Sequence, residues 1–131
     1  MPKAVICENN TDIQKALSDY LKSVGFECLT PSGIEEAISM SNLEDVSLVV
    51  VNEEYSKLIN EISSLPMYRR RDIILILINS SIPTMDRLSA FALGVNAIIN
   101  IKDLNNFPAF FKRTYNEYQK NYKIFRELLV K

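Results

Sequence analysis

The chain has 131 residues, 47% of them hydrophobic and 24% charged, with a formal net charge of −1. That balance suits one ordinary globular domain with one core. It gives no general electrostatic case for nucleic acid or an anionic membrane. Histidine is absent, which removes the commonest general base and the commonest zinc ligand.

No apolar run approaches the ~20 residues that span a bilayer, and MPK leads straight into AVIC without a signal-peptide pattern. A cytoplasmic location, with no membrane contact, is the expectation. The one dense basic run, Arg69-Arg70-Arg71, is followed at once by Asp72 and reads as a solvated loop. Cys7 and Cys28 are too few for a disulfide framework, and both sit in strand-like runs as expected buried, reduced thiols.

In chain order, AVIC (4–7) is the first strand candidate. Asn9, Asn10 and Thr11 then offer capping oxygens to a helix. Ile13, Leu17, Leu21 and Val24 are spaced along one helical face, and Gly25 ends it. FECLT (26–30) is a short second strand. Pro31, Ser32 and Gly33 break the chain before a weak helix with Ile34, Ala37, Ile38 and Ser41 on one side. VSLVVVN (46–52) is the strongest strand: apolar, β-branched and without alternation, as in a parallel sheet covered on both faces.

Tyr55, Leu58, Ile59, Ile62 and Leu65 make a third helix ending near Pro66. DIILILI (72–78) is another doubly buried strand. Pro83 and Thr84 are expected to open a fourth helix with Leu88, Phe91 and Ala92 inward and Gly94 as its stop. AIINI (97–101) is the fifth strand. From Leu104 to Val130 the pattern is helical, with Pro108 tolerable near its start. Five βα units require right-handed crossovers, hence a parallel sheet with helices on both faces.

At this point the sequence resembles a response-regulator receiver domain, the flavodoxin-like module of bacterial two-component signalling, over about residues 3–122. The resemblance implies a three-layer (βα)5 sandwich with a five-stranded parallel sheet ordered 2-1-3-4-5. Residues 123–131 then extend the last helix. The residues that carry the resemblance are ENN (8–10) after the first strand, Gly25-Phe26, Asn52 after the third strand, Asn79 after the fourth, and DRLSAFALGVNAII (86–99). In such receivers, carboxylates at the strand tips bind magnesium. An aspartate takes the phosphoryl group beside a lysine, and a switch hydroxyl with an inward-turning aromatic repacks the face of the fourth helix, fifth strand and fifth helix.

Mapped residue by residue, that machinery is degenerate here. Glu8 keeps one carboxylate of the acidic pair and Asn9 has lost the other. Asn52 replaces the nucleophile, and an amide oxygen is too weak to take over. Asn79 replaces the switch hydroxyl. Counting from Gly94, the lysine position is Ile101 and the aromatic position is Ile98. Lys102 comes one residue late, which reverses its direction in a strand unless a bulge restores it. Glu53 and Glu54 are extra acids, and the Glu54 side chain is a candidate to fold over the pocket as a phosphoryl mimic. Fewer clustered carboxylates repel less, so a domain locked in one state without magnesium is expected.

The last helix carries Phe111, Tyr115, Tyr118, Tyr122, Phe125 and Leu129 at alternating spacings of four and three, a heptad-like stripe. Its second half has no evident sheet to cover, which points to a partner surface, a homodimer or packing back on the domain. The leading expectation is a non-enzymatic, phosphorylation-independent protein-interaction module for a signalling protein or output domain, without metal or cofactor. One alternative is a conventional phosphorelay receiver using Glu53 or Glu54 with Lys102 in a bulged strand. Another is a small-ligand binder on the same fold, though the three glycines at 25, 33 and 94 are isolated and form no phosphate loop.

Overall fold

The computed structural model describes residues 2–43 and 45–130, with side chains described to residue 120. Five parallel strands, β1 (Lys3–Cys7), β2 (Glu27–Leu29), β3 (Val46–Asn52), β4 (Ile74–Asn79) and β5 (Ala97–Asn100), form one sheet in the order β2-β1-β3-β4-β5. The connecting helices are α1 (Thr11–Ser23), α2 (Ile34–Ser41), α3 (Ser56–Ser63), the one-turn α4 (Met67–Arg70) and α5 (Arg87–Leu93), and α6 (Phe107–Val130) closes the chain. This is the three-layer flavodoxin-like arrangement expected from the alternating pattern.

Strand alternation divides the core in two. Val5, Cys7, Val49, Val51, Leu75, Leu77 and Ile98 face α2 and α3 through Ala37, Leu58, Ile59 and Ile62. Ala4, Ile6, Leu48, Val50, Ile74, Ile76 and Ile78 face α1 and α6 through Leu17, Leu21, Phe107 and Phe111. Both faces are apolar, so β3 and β4 read as unbroken hydrophobic runs. Each fully buried Ile or Leu contributes about 1.5–3 kcal/mol of transfer free energy, far more than any single polar contact at the sheet edge.

The helix boundaries follow local chemistry. Asn10 caps α1, its Oδ1 accepting from the backbone N–H of Asp12 and Ile13 at 3.0 and 3.2 Å. Gly94 ends α5 in the left-handed region at φ 78°, and a Cβ there would meet Ser63 Oγ at 3.0 Å. Pro108 sits in the first turn of α6, where its missing N–H costs little.

Three sequence expectations need correction. The fourth helical pattern does not open at Pro83 and Thr84. Met85 adopts φ 62°, and α5 starts at Arg87 with Asp86 as its cap. Its apolar face is also reversed. Ala90 is the buried residue, while Ala92 is exposed and Leu88 and Phe91 are 84% and 89% exposed. A seven-residue helix with apolar residues all round has no periodicity strong enough to fix which side faces in.

The arginine run is not a solvated loop either. Arg70 donates to the carbonyls of Ile73 and Gly94 at 2.8 and 2.9 Å and to Asn96 Oδ1 at 3.2 Å. Burial lowers its pKa. Arg69 reaches the carbonyls of Ser41, Leu43 and Val46. These guanidinium groups satisfy backbone acceptors at chain reversals, a role that composition does not reveal.

The outer margin of β5 is covered. Met85 donates its N–H to Ile98 O at 2.8 Å. Asn100 donates its backbone N–H to Thr84 Oγ1 at 2.9 Å and its Nδ2 to Ile82 O at 3.1 Å. Thr84 in turn donates to Asp103. These bonds hold Met85 in a conformation that non-glycine residues seldom adopt.

Candidate functional site

The carboxyl ends of the strands bring an unusual set of asparagines to one edge. Asn10, Asn52, Asn79 and Asn100 follow or end β1, β3, β4 and β5. Each uses its Oδ1 to accept a backbone N–H two or three residues ahead: Asp12 and Ile13, Glu54, Ser81 and Ile82, and Lys102. These are Asx turns, which satisfy the free N–H groups where a strand hands over to a turn or helix. An aspartate could accept in the same way. What distinguishes an asparagine is the second half of its amide, the N–H donor.

At the β1 and β3 tips that donor is used. Asn52 Nδ2 donates to Glu8 Oε1 at 3.1 Å. The same oxygen accepts the Asn10 backbone N–H at 3.1 Å, and Gln14 Nε2 donates to the Glu8 carbonyl at 3.2 Å. Glu8 is 9% exposed. Asn9 Nδ2 donates to Glu54 Oε2, and Asn9 Oδ1 accepts from the Tyr55 hydroxyl at 3.0 Å. Glu54 thus folds back from the β3 tip onto the β1 tip. Burial raises the Tyr55 pKa, as do the charges of Cys7, Glu54, Glu8 and Glu36, so its hydroxyl stays a donor. Below this group, burial pushes the Cys7 thiol up to about 12.

The β4 and β5 tips form a second group. Asn79 is 2% exposed; its Oδ1 caps Ser81 and Ile82, and its Nδ2 is buried without a partner among the described residues. Ser80 Oγ donates to Glu53 Oε1 at 2.9 Å, linking the β3 and β4 tips at the surface. β4 and β5 pair regularly from Ile76↔Ala97 to Asn79↔Asn100, with no bulge. Ile101 and Lys102 lie in the following 3-10 helix, both exposed. The Lys102 ammonium has no hydrogen-bond or ion-pair partner among the described residues. Ile98 is fully buried against the α3 side of the sheet.

The structure therefore brings Glu8, Asn9, Asn52 and Glu54 together, sets Asn79 beside them on the next strand, and leaves Ile101 and Lys102 outside. Sequence reasoning missed Tyr55, Ser80 and Asn100. The signal available for Asn100 was its place at a strand end before a polar turn, the Asx signature.

Magnesium, which the resemblance implies, is a poor match for this donor set. A hard cation takes charged or carbonyl oxygens. Here Glu8 Oε1 already accepts two N–H groups, Glu54 Oε2 accepts a third, and Asn52 Oδ1 faces the Glu54 N–H. Among the described residues no group of three or more His, Cys, Asp or Glu is placed to hold a metal ion.

A second surface lies along α5, β5 and α6. Leu88 and Phe91 project from α5, and a groove of about 390 Å³ runs beneath, lined by residues that include Met85, Ala90, Val95, Ala97 and Ile98. Arg87 on α5 pairs with Glu117 on α6 at 3.1 Å across its rim. On α6 the aromatic stripe divides. Phe111 is 5% exposed and packs on the rings of Tyr20, Phe26, Phe107 and Tyr115, so it is core rather than partner surface. Tyr118 is half-buried, its hydroxyl donating to Arg71 O at 2.6 Å. Tyr115 is exposed. The side chains of Tyr122, Phe125 and Leu129 lie outside the described residues, although the α6 backbone runs unbroken through them.

No helix among the described residues is long and apolar enough to cross a membrane. No protein-family model matches the sequence, and no curated protein matches it. By structure the chain is similar to a CheY-like receiver domain from Methanospirillum hungatei, with TM-score 0.70, 14% identity, and coverage of 92% of this chain and 98% of that one. It is similar to the HemR receiver domain of Leptospira biflexa, with TM-score 0.68, 18% identity, and coverage of 87% and 94%. It is also similar to an orphan response regulator of H. pylori, with TM-score 0.67, 14% identity, and coverage of 86% and 95%. With the strand order β2-β1-β3-β4-β5 and five βα units, these likenesses show a CheY-like, flavodoxin-like fold.

Proposed function

We propose that the chain is a signalling module of receiver type that works without phosphorylation and without enzymatic activity of its own, presenting a docking face to a protein partner in the cytoplasm. The observation that carries this reading is Asn52. It stands at the β3 tip, and its amide is hydrogen-bonded on both sides, to Glu8 and to the Glu54 N–H. An amide cannot form an acyl phosphate. The docking face is the surface of α5, β5 and α6, where Leu88 and Phe91 project into solvent. An exposed apolar patch of this kind marks a protein-binding surface. The continuation of α6 beyond residue 120 is a second contact surface, for a partner helix or a second copy.

The deciding experiment is incubation with acetyl phosphate and magnesium followed by intact-mass measurement. The expected mass is unchanged. A stoichiometric, base-labile gain of one phosphoryl group would overturn the reading.

One contact favours a second reading. Glu53 and Ser80 each lie one residue past the family's acid and hydroxyl positions, and they touch at 2.9 Å. A relay displaced by one residue would place the acid at Glu53. In that case Glu53→Gln abolishes the mass gain and Glu54→Gln leaves it.

A further inference from the structure

We infer that the side-chain amides of Asn52 and Asn9 serve as a built-in substitute for a cation at the β1 and β3 tips, so that exchanging one amide for a carboxylate makes this domain dependent on a divalent metal. The inference rests on the receiver-type reading only in naming the cation replaced. The hydrogen bonds stand on their own.

A carboxylate as buried as Glu8 requires compensation. Among the described residues the ion pairs are Lys3–Asp45, Arg87–Glu117 and Arg113–Glu117, none of which reaches it. Its compensation is three neutral sources: the Asn10 backbone N–H, the Asn52 amide, and the start of the 13-residue α1 just beyond it. Glu54 receives its N–H from Asn9.

The direction of each amide is fixed by its other end. The Glu54 N–H holds Asn52 Oδ1 at 2.9 Å, which turns Nδ2 toward Glu8. The Tyr55 hydroxyl holds Asn9 Oδ1 at 3.0 Å, which turns Nδ2 toward Glu54. Reversing Asn52 would set its oxygen against Glu8 Oε1 and its N–H against the Glu54 N–H, and reversing Asn9 would set its oxygen against Glu54 Oε2, so the network favours one orientation of each amide. A metal ion drawn to these carboxylates meets N–H groups already on Glu8 Oε1 and Glu54 Oε2. With aspartate at position 52, the donor 3.1 Å from Glu8 Oε1 becomes an acceptor, and two carboxylates then share a partly buried site.

The test is thermal melting of the full chain in EDTA, in MgCl2 and in MnCl2, for the wild type and Asn52→Asp. The wild-type midpoint is expected to be the same in all three. Asn52→Asp is expected to melt about 5–10 °C lower in EDTA and to recover most of that loss with either metal. A wild type stabilised by magnesium or manganese, or an Asn52→Asp chain that ignores both, overturns the inference.

Should Asn52→Asp fail to fold, manganese titration of the 15N-labelled wild type decides. Uniform, weak broadening is expected. Selective loss of the amide signals of residues 8–10 and 52–54 overturns it. A wild type that binds manganese yet takes no phosphoryl group from acetyl phosphate ends this inference and leaves the proposed function standing. A wild type that is phosphorylated ends the proposed function, whichever way the melts fall.

Discussion

At the β1 and β3 tips, polar side chains are spent on each other: Glu8 on Asn52, Glu54 on Asn9, Asn9 on Tyr55. On the α5, β5 and α6 face the opposite holds. Leu88 and Phe91 stand almost fully in water, and a groove of about 390 Å³ lies beneath them. In the receiver family that the sequence resembles, the first region carries the chemistry and the second reads its outcome. Here the first is closed by internal bonds and the second is left with apolar surface that no described residue covers. That contrast is what the proposed docking face rests on: polar groups satisfied in the crevice, apolar groups left exposed on the helix face.

The comparison can be broken at the floor of the crevice, where the effect is largest. Cys7 is fully buried beneath Glu8, and its thiol is pushed up to about 12 by desolvation from an ordinary 9.0. The folded state therefore keeps a proton that the unfolded state loses. This contribution is complete below pH 9 and is lost as pH rises toward about 12, at about 1.4 kcal/mol per pH unit. Urea melts between pH 8 and 11 should show it, and Cys7→Ala should flatten the slope. Equal slopes in the two proteins would mean that the crevice floor is wetter than its burial indicates.

The next largest effect concerns the support of the proposed docking face. Arg70 ties Gly94 and Asn96, at the foot of α5 and the start of β5, to Ile73 before β4. Arg70→Ala leaves those acceptors without their donor and should cost about 2–4 kcal/mol, read from the denaturant midpoint. Hydrogen exchange in α5 should rise while exchange around residues 8–10 stays unchanged, if the two regions are as independent as their bonds suggest.

The smallest effect on stability belongs to the face itself. Leu88→Ser and Phe91→Ser should each change the unfolding free energy by less than about 0.5 kcal/mol, since little burial is lost. Either substitution should remove partner binding in a pull-down or self-association in sedimentation. A large loss of stability would instead assign these side chains to the core.

Much of this was legible in the sequence, for identifiable reasons. β3 and β4 are buried on both faces, so their residues run apolar without interruption. Gly25 and Gly94 both adopt positive φ, at 105° and 78°, and mark helix ends. The place of Asn52 at the end of β3 follows from the strand pattern alone. What could not be read is whatever depends on contacts across distant parts of the chain. Arg69 and Arg70 looked solvated because backbone carbonyls leave no trace in composition. The orientation of α5 was misread because Leu88, Phe91 and Ala92 offered a face as apolar as the one that is buried. Thr84 looked like a helix opener, whereas its hydroxyl is engaged with Asp103 and Asn100. The asparagines looked like lost chemistry. The bonds of Asn9 and Asn52 show gained donors.

The bonds from Met85 and Asn100 that cover the outer margin of β5 bear on assembly. An uncovered lateral strand invites a foreign strand to add to the ladder, a route to runaway polymerisation. With Ile98 O and the Asn100 N–H already engaged, that invitation is withdrawn on this side of the sheet. Recognition there falls to side chains, where one substitution can redirect it without unzipping the backbone.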